Sequence, residues 1–227
     1  MRGVKTFCAI LGFAALVLWT APAAATAVPV ANSGFETDSL GCAAGPLCFA
    51  AGITNWNPSG QTATFKPSTG VGGTFLTAIP DPVNVAALGN GEGTGSITQT
   101  LSATLQANTL YTLTLSVGQR SDFPFTGYTA ALLAGTTVLA SDSLLLPPPG
   151  TFLTDVIAFL SDGGPLIGQA LSIGIHSNCL PTGGCGQVDI DKVSLDATGV
   201  PVPEPGTFFL LGSGLVGIGA LWRRRHS

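Results

Sequence analysis

Period-two alternation is the feature that most restricts what this chain can become. In residues 111–117 the side chains of Tyr111, Leu113, Leu115 and Val117 fall on one face of an extended segment, with Thr112, Thr114 and Ser116 on the other, because successive strand residues point to opposite sides. Leu171, Ile173 and Ile175 alternate in the same way with Ser172, Gly174 and His176. Residues 96–105, 128–133, 136–140 and 152–160 read as further short strands. Turn signals separate them: Gly89-Asn90-Gly91, Ala107-Asn108, Ala134-Gly135, residues 147–150 and Asp162-Gly163-Gly164. The stretch is rich in Thr, Ser, Gly, Val and Leu and poor in Lys and Glu, which favours strands over helices. No segment holds a helical period and no solenoid-length repeat stands out, so the spacing predicts an all-β sandwich.

The two ends follow different rules. Arg2 and Lys5 precede an uncharged apolar run over residues 7–19, and Pro22 and a small-residue series with A-x-A sites ending at Ala25 or Ala27 follow it. That order predicts a secretory signal peptide over residues 1–27, removed by signal peptidase. At the other end, proline-rich residues 200–205 cannot sustain a helix. An apolar run over residues 207–222 then leads into Arg223, Arg224 and Arg225. This predicts a single C-terminal transmembrane helix, with the arginines in the cytoplasm by the positive-inside rule and the preceding domain outside. The chain thus divides into residues 1–27, a domain over 28–199 and a tail over 200–227.

The central domain carries three basic residues against eleven acidic ones, a formal charge of −8. Such a surface repels phosphate backbones and excludes nucleic acid as a partner. Carboxylate-rich surfaces suit hard cations such as calcium. Cys42, Cys48, Cys179 and Cys185 remain after signal removal, and an even count in an exported chain implies disulfides. Four cysteines allow three pairings. The simplest joins Cys42 to Cys48 and Cys179 to Cys185, each closing a short Gly- and Pro-containing loop.

The last strand breaks phase. Val188 and Ile190 alternate, but the next apolar residues are Val193 and Leu195, which places a bulge between Asp191 and Lys192 and turns one aspartate inward. Catalytic sets are missing by motif. His176 stands alone at a strand end, no G-x-S-x-G elbow occurs, and Asp189 with Asp191 sits too close for an inverting glycosidase. Gly89 to Gly95 lacks the Lys-Ser/Thr of a phosphate loop. Arg120, Asp122, Phe125 and Tyr128 lie on one inter-strand segment that mixes aromatic, basic and acidic groups. They are the candidate ligand-binding residues; the alternative is a loop packed on the sandwich with Arg120 as a structural partner of Asp122.

Two resemblances add to this. The tail, with Val202, Pro203, Glu204 and Pro205, a Gly-rich apolar segment and the arginine cluster, resembles the PEP-CTERM sorting signal of Gram-negative bacteria. It implies recognition by an exosortase, transient anchoring, then display at the cell surface or in the extracellular matrix, in a family associated with exopolysaccharide and biofilm. Residues 30–36, 53–56 and 188–195 resemble the landmarks of galactose-binding-like, carbohydrate-binding-module-like jelly rolls. That likeness implies a structural calcium held by Glu36 and Asp191, and places Trp56 in the core. The reading is therefore an exported, non-catalytic jelly-roll sandwich that binds extracellular polysaccharide. Its alternatives are an adhesive surface protein with no small ligand and a secreted hydrolase.

Overall fold

The computed structural model describes residues 24–181, 183–200 and 207–225. The signal segment as far as residue 23 and the motif residues Val202, Pro203, Glu204 and Pro205 lie outside the described residues. The strands in chain order are β1 (Ala25–Val28), β2 (Phe49–Ala51), β3 (Asn57–Gly60), β4 (Thr62–Phe65), β5 (Val85–Leu88), β6 (Gly95–Thr104), β7 (Thr109–Gln119), β8 (Tyr128–Ala134), β9 (Thr137–Asp142), β10 (Thr151–Ser161), β11 (Ala170–Ser177) and β12 (Val188–Gly199), followed by helix α1 (Thr207–Arg225). They make two antiparallel sheets. The larger runs β10-β7-β12-β5-β4-β2, with β1 pairing the second half of β12; the smaller runs β3-β6-β11-β8-β9. The result is a jelly-roll β-sandwich.

The alternation decides the interior. Tyr111, Leu113, Leu115 and Val117 of β7 are buried, as are Leu171, Ile173 and Ile175 of β11 and Tyr128, Ala130 and Leu132 of β8. Together with Ile97, Ile190 and Leu195 they form one continuous cluster between the sheets. Trp56 is 4% exposed and packs on Phe35. Both disulfides are local, Cys42 with Cys48 and Cys179 with Cys185.

The phase slip in β12 is a bulge. Asp191 pairs with Ser116 and the next aligned pair is Ser194 with Thr114, so Lys192 and Val193 together oppose Leu115. Lys192 takes a left-handed φ of 51° and the Val193 amide donates to the Ser33 carbonyl at 2.9 Å, which returns Val193 and Leu195 to the inner face. One expectation needs correction. Asp189 and Asp191 alternate with the inward Val188 and Ile190, so both face outward from the sandwich, yet both are fully buried. Their cover is the segment over residues 66–84, whose Phe75 and Ile79 join Phe65, Val85, Ala87 and Phe152 in a second, smaller apolar cluster on the outer face of the large sheet.

The apolar tail forms α1, of 19 residues. Among the described residues no helix is long and apolar enough to cross a membrane. The reason is length: the uncharged sixteen-residue run at residues 207–222 reaches about 24 Å at helical rise, against a hydrocarbon core of about 30 Å.

Candidate active site

The outer face of the large sheet holds one cross-strand row built almost wholly from small residues around one acid. Ala63 pairs with Ala87, Ala87 with Asp189, Asp189 with Gly118, and Gly118 with Phe152. Glycine is required at 118, since a Cβ there would collide with the Phe152 ring. The row therefore leaves space above Asp189 that aromatic side chains fill from the sides.

Asp189 is 0% exposed. Its Oδ1 accepts from Gln187 Nε2 at 2.7 Å, while Oδ2 is buried without a partner. Removal from water pushes its carboxyl up to about 7; the Gln187 hydrogen bond and the charge of Arg120 oppose the rise only in part. A carboxyl in that state carries a proton near neutrality. Gln187 in turn accepts from Arg120 Nη1 at 3.2 Å through its Oε1. Because guanidinium groups only donate, the amide cannot turn round. Its nitrogen must face Asp189 Oδ1, and the acid proton is left to Oδ2.

Arg120 is the keystone of this wall. It is 5% exposed, and its guanidinium lies 4.9 Å from the Phe65 ring centre, 5.5 Å from Phe123 and 5.8 Å from Phe49. A two-pronged pair with Asp122, at 2.9 and 2.8 Å, fixes its plane. That hydrogen bonding holds the Asp122 carboxyl below its usual range. A hollow of about 180 Å³ opens beside the row, with Phe49, Ala63, Ala87, Asn90 and Gln187 in its walls.

The ligand-binding segment expected at residues 120–128 is folded inward. Arg120 and Asp122 meet, but Tyr128 is fully buried in the main core and Phe125 packs against it. The Tyr128 hydroxyl donates to Asp155 Oδ2 at 2.6 Å, and burial with that contact raises its pKa above the ordinary phenol value. Desolvation raises Asp155 as well. The segment is tied to residues 186 and 187, where Gln187 N donates to the Pro124 carbonyl and Gly186 N to Thr126 Oγ1. It therefore offers no open aromatic platform, and the candidate set is corrected on that ground. His176 is exposed on the outer face of the small sheet, on the opposite sheet from Asp189.

Glu36 and Asp191 are brought near one another with Asp81. Glu36 Oε1 accepts the amides of Val83 and Asn84 at 2.8 Å each. Asp191 accepts those of Asp81 and Lys192 at 2.7 Å. Burial, with smaller contributions from the charges of Asp81 and Glu36, raises the Asp191 carboxyl to about 7. Among the described residues no group of three His, Cys, Asp or Glu is gathered as a metal centre.

A family model described as HpiC1 cyclase matches residues 26–196, and the PEP-CTERM protein-sorting motif matches residues 201–225. The motif indicates export and sorting to the cell surface and implies exosortase processing. No curated protein matches the chain. Among solved structures, a Stig cyclase, Fisc, from Fischerella sp. TAU in complex with (3Z)-3-(1-methyl-2-pyrrolidinylidene)-3H-indole aligns at 27% identity with a TM-score of 0.66, over 78% of this chain and 100% of that one. An apo cyclase from Fischerella sp. aligns at 26% identity and TM-score 0.64, over 78% and 98%. A cyclase from Fischerella sp. TAU in complex with 4-(1H-indol-3-yl)butan-2-one aligns at 26% and 0.63, over 78% and 100%. These matches overturn the expectation of a non-catalytic domain and point to a cyclase enzyme. No spacing of paired catalytic groups marks this site, which holds one buried acid. Gly118, a glycine inside a long strand, was the available signal of a close approach on that face.

Proposed function

The chain belongs to the HpiC1-like cyclase family, and on that premise we propose that it is an exported, exosortase-sorted cyclase whose general acid is Asp189. The observation that carries the reading is the buried Asp189 carboxyl with its unpartnered Oδ2, set in a row of small residues and flanked by Phe65, Phe49 and Phe152. The substrate class is an indole or similar electron-rich aromatic bearing an unsaturated side chain. Its support is the aromatic lining together with the indole compounds bound in the related cyclases.

Asp189 Oδ2–H donates its proton to an sp² carbon of the side chain, and a π bond of the substrate closes on the resulting cation to form the ring. The carboxylate then takes a proton from the cyclised cation, so the reaction is an isomerisation with no co-reactant. Arg120 and Gln187 hold the acid in place and keep its proton on Oδ2. The apolar cover excludes water from the cation. A calcium ion at Glu36 and Asp191 belongs to the same proposal as a structural clamp between the first loop and β12. Its support is the unpartnered Oδ1 of Asn84, which is 3% exposed and whose backbone amide donates to Glu36 Oε1.

The test is turnover of alkenyl indoles followed by chromatography and mass. The expected product has unchanged mass in water, carries deuterium when formed in deuterium oxide, and disappears with Asp189→Asn. Wild-type rates from Asp189→Asn would refute the assignment of the acid.

A further inference from the structure

A second hollow lies farther along the outer face of the large sheet, where β7, β10 and β12 run beside residues 77–80, with a volume of about 400 Å³. Its size is that of a small-molecule site. Thr77, Thr114, Ser116, Thr154 and Ser194 line it with hydroxyls, and Lys192 contributes an ammonium. Pro80 and Phe152 supply apolar wall. The fold places these groups together. Ser116 is the cross-strand partner of Thr154, Ser194 is that of Thr114, and the β12 bulge sets Lys192 between them.

Two observations distinguish this hollow from an ordinary wet sheet face. No carboxylate lines it, although the domain around it has eleven acidic residues against three basic ones. Of the three cations, Arg120 is paired with Asp122 and Lys66 donates to the Cys42 carbonyl, whereas the Lys192 ammonium has neither an ion pair nor a hydrogen bond among the described residues. The five hydroxyls are likewise without partners among the described residues. Ser116 is only 7% exposed, and what access its side chain has is onto the hollow.

We propose that this hollow binds a hydroxylated monocarboxylate of sugar-acid type, independently of Asp189. One ammonium matches one negative charge. Ser and Thr hydroxyls both donate and accept, so they complement ring hydroxyls as well as carboxylate oxygens. Phe152 and Pro80 offer a surface to the apolar face of a ring.

The exported protein is titrated with galacturonate, galactose and inorganic phosphate at low salt. Galacturonate is expected to bind at least tenfold tighter than either comparator. Lys192→Asn should lose that tenfold, asparagine being chosen because it tolerates the left-handed backbone at this position. Thr154→Val, on the exposed side of an edge strand, should weaken binding several-fold and remains readable should Lys192→Asn fail to fold. Asp189→Asn should bind as the wild type does, which separates this site from the acid. The proposal is overturned by no detectable galacturonate binding, by galactose or phosphate binding equally well, by a folded Lys192→Asn or Thr154→Val variant that binds unchanged, or by loss of binding in Asp189→Asn.

Discussion

Replacing Asp189 with asparagine separates the charge of this side chain from its shape. Asparagine keeps an oxygen for Gln187 and fits the same row between Ala87 and Gly118, but it cannot ionise. The wild-type carboxyl titrates near 7 when folded, against 3.8 for the ordinary group. Below the lower value both folded and unfolded chains hold the proton and the charge costs nothing. Between the two, the unfolded chain has released its proton and the folded one has not, so wild-type stability falls as pH rises. Above about 7 the folded form ionises too and the loss is complete. A rise of roughly three pH units corresponds to about 4 kcal/mol at about 1.4 kcal/mol per unit. Asp191 and Asp155, whose carboxyls are also raised, titrate in both proteins and cancel in the difference. Urea unfolding of both proteins at several values between roughly pH 4 and 8 measures it. The stability gap should widen in favour of the variant by about 1.4 kcal/mol per unit up to about pH 7 and then stay flat, while cyclase turnover is lost. A gap that does not change with pH would mean that Asp189 is not held protonated by burial, and the assignment of the acid would fall with it.

Arg120→Met should lower stability by about 2–3 kcal/mol, because Gln187 Oε1 loses its donor and three rings lose a cation; the Asp122 side chain, 42% exposed, rehydrates and adds little. Urea unfolding checks it, and a loss below about 0.5 kcal/mol would show that the wall stands without its guanidinium. Removing calcium with a chelator should lower Tm, and Glu36→Gln should abolish that difference; a Tm indifferent to calcium would remove the clamp. The intact mass of the exported protein should show loss of the signal and of residues 207–227, with both disulfides formed. A mass that retains those last residues would sink the sorting assignment.

Much of the frame was legible because it depends on neighbours in sequence. Alternation in 111–117 and 171–176 selects the buried faces of β7 and β11, and the phase slip after Asp191 marks the bulge before any partner strand is known. The same rule assigns Tyr128 to the interior, since it is in phase with Ala130 and Leu132. Reading residues 120–128 as an open platform weighed composition over phase, and phase was the better guide. The acid was harder to see because its environment is assembled across the chain. The cover that buries the Asp191 side of β12 comes from Asp81, 110 residues away, and the bond that orients Gln187 comes from Arg120, 67 residues away. Such a site leaves no spacing motif, because a single acid is tuned by what excludes water from it rather than by a second catalytic residue. What the sequence does carry is a glycine, Gly118, inside the long alternating segment, and the fold sets it opposite Asp189. A strand neighbour with no Cβ beside a carboxylate that cannot reach solvent means that something is meant to lie over it. In this protein the Phe152 ring takes that space.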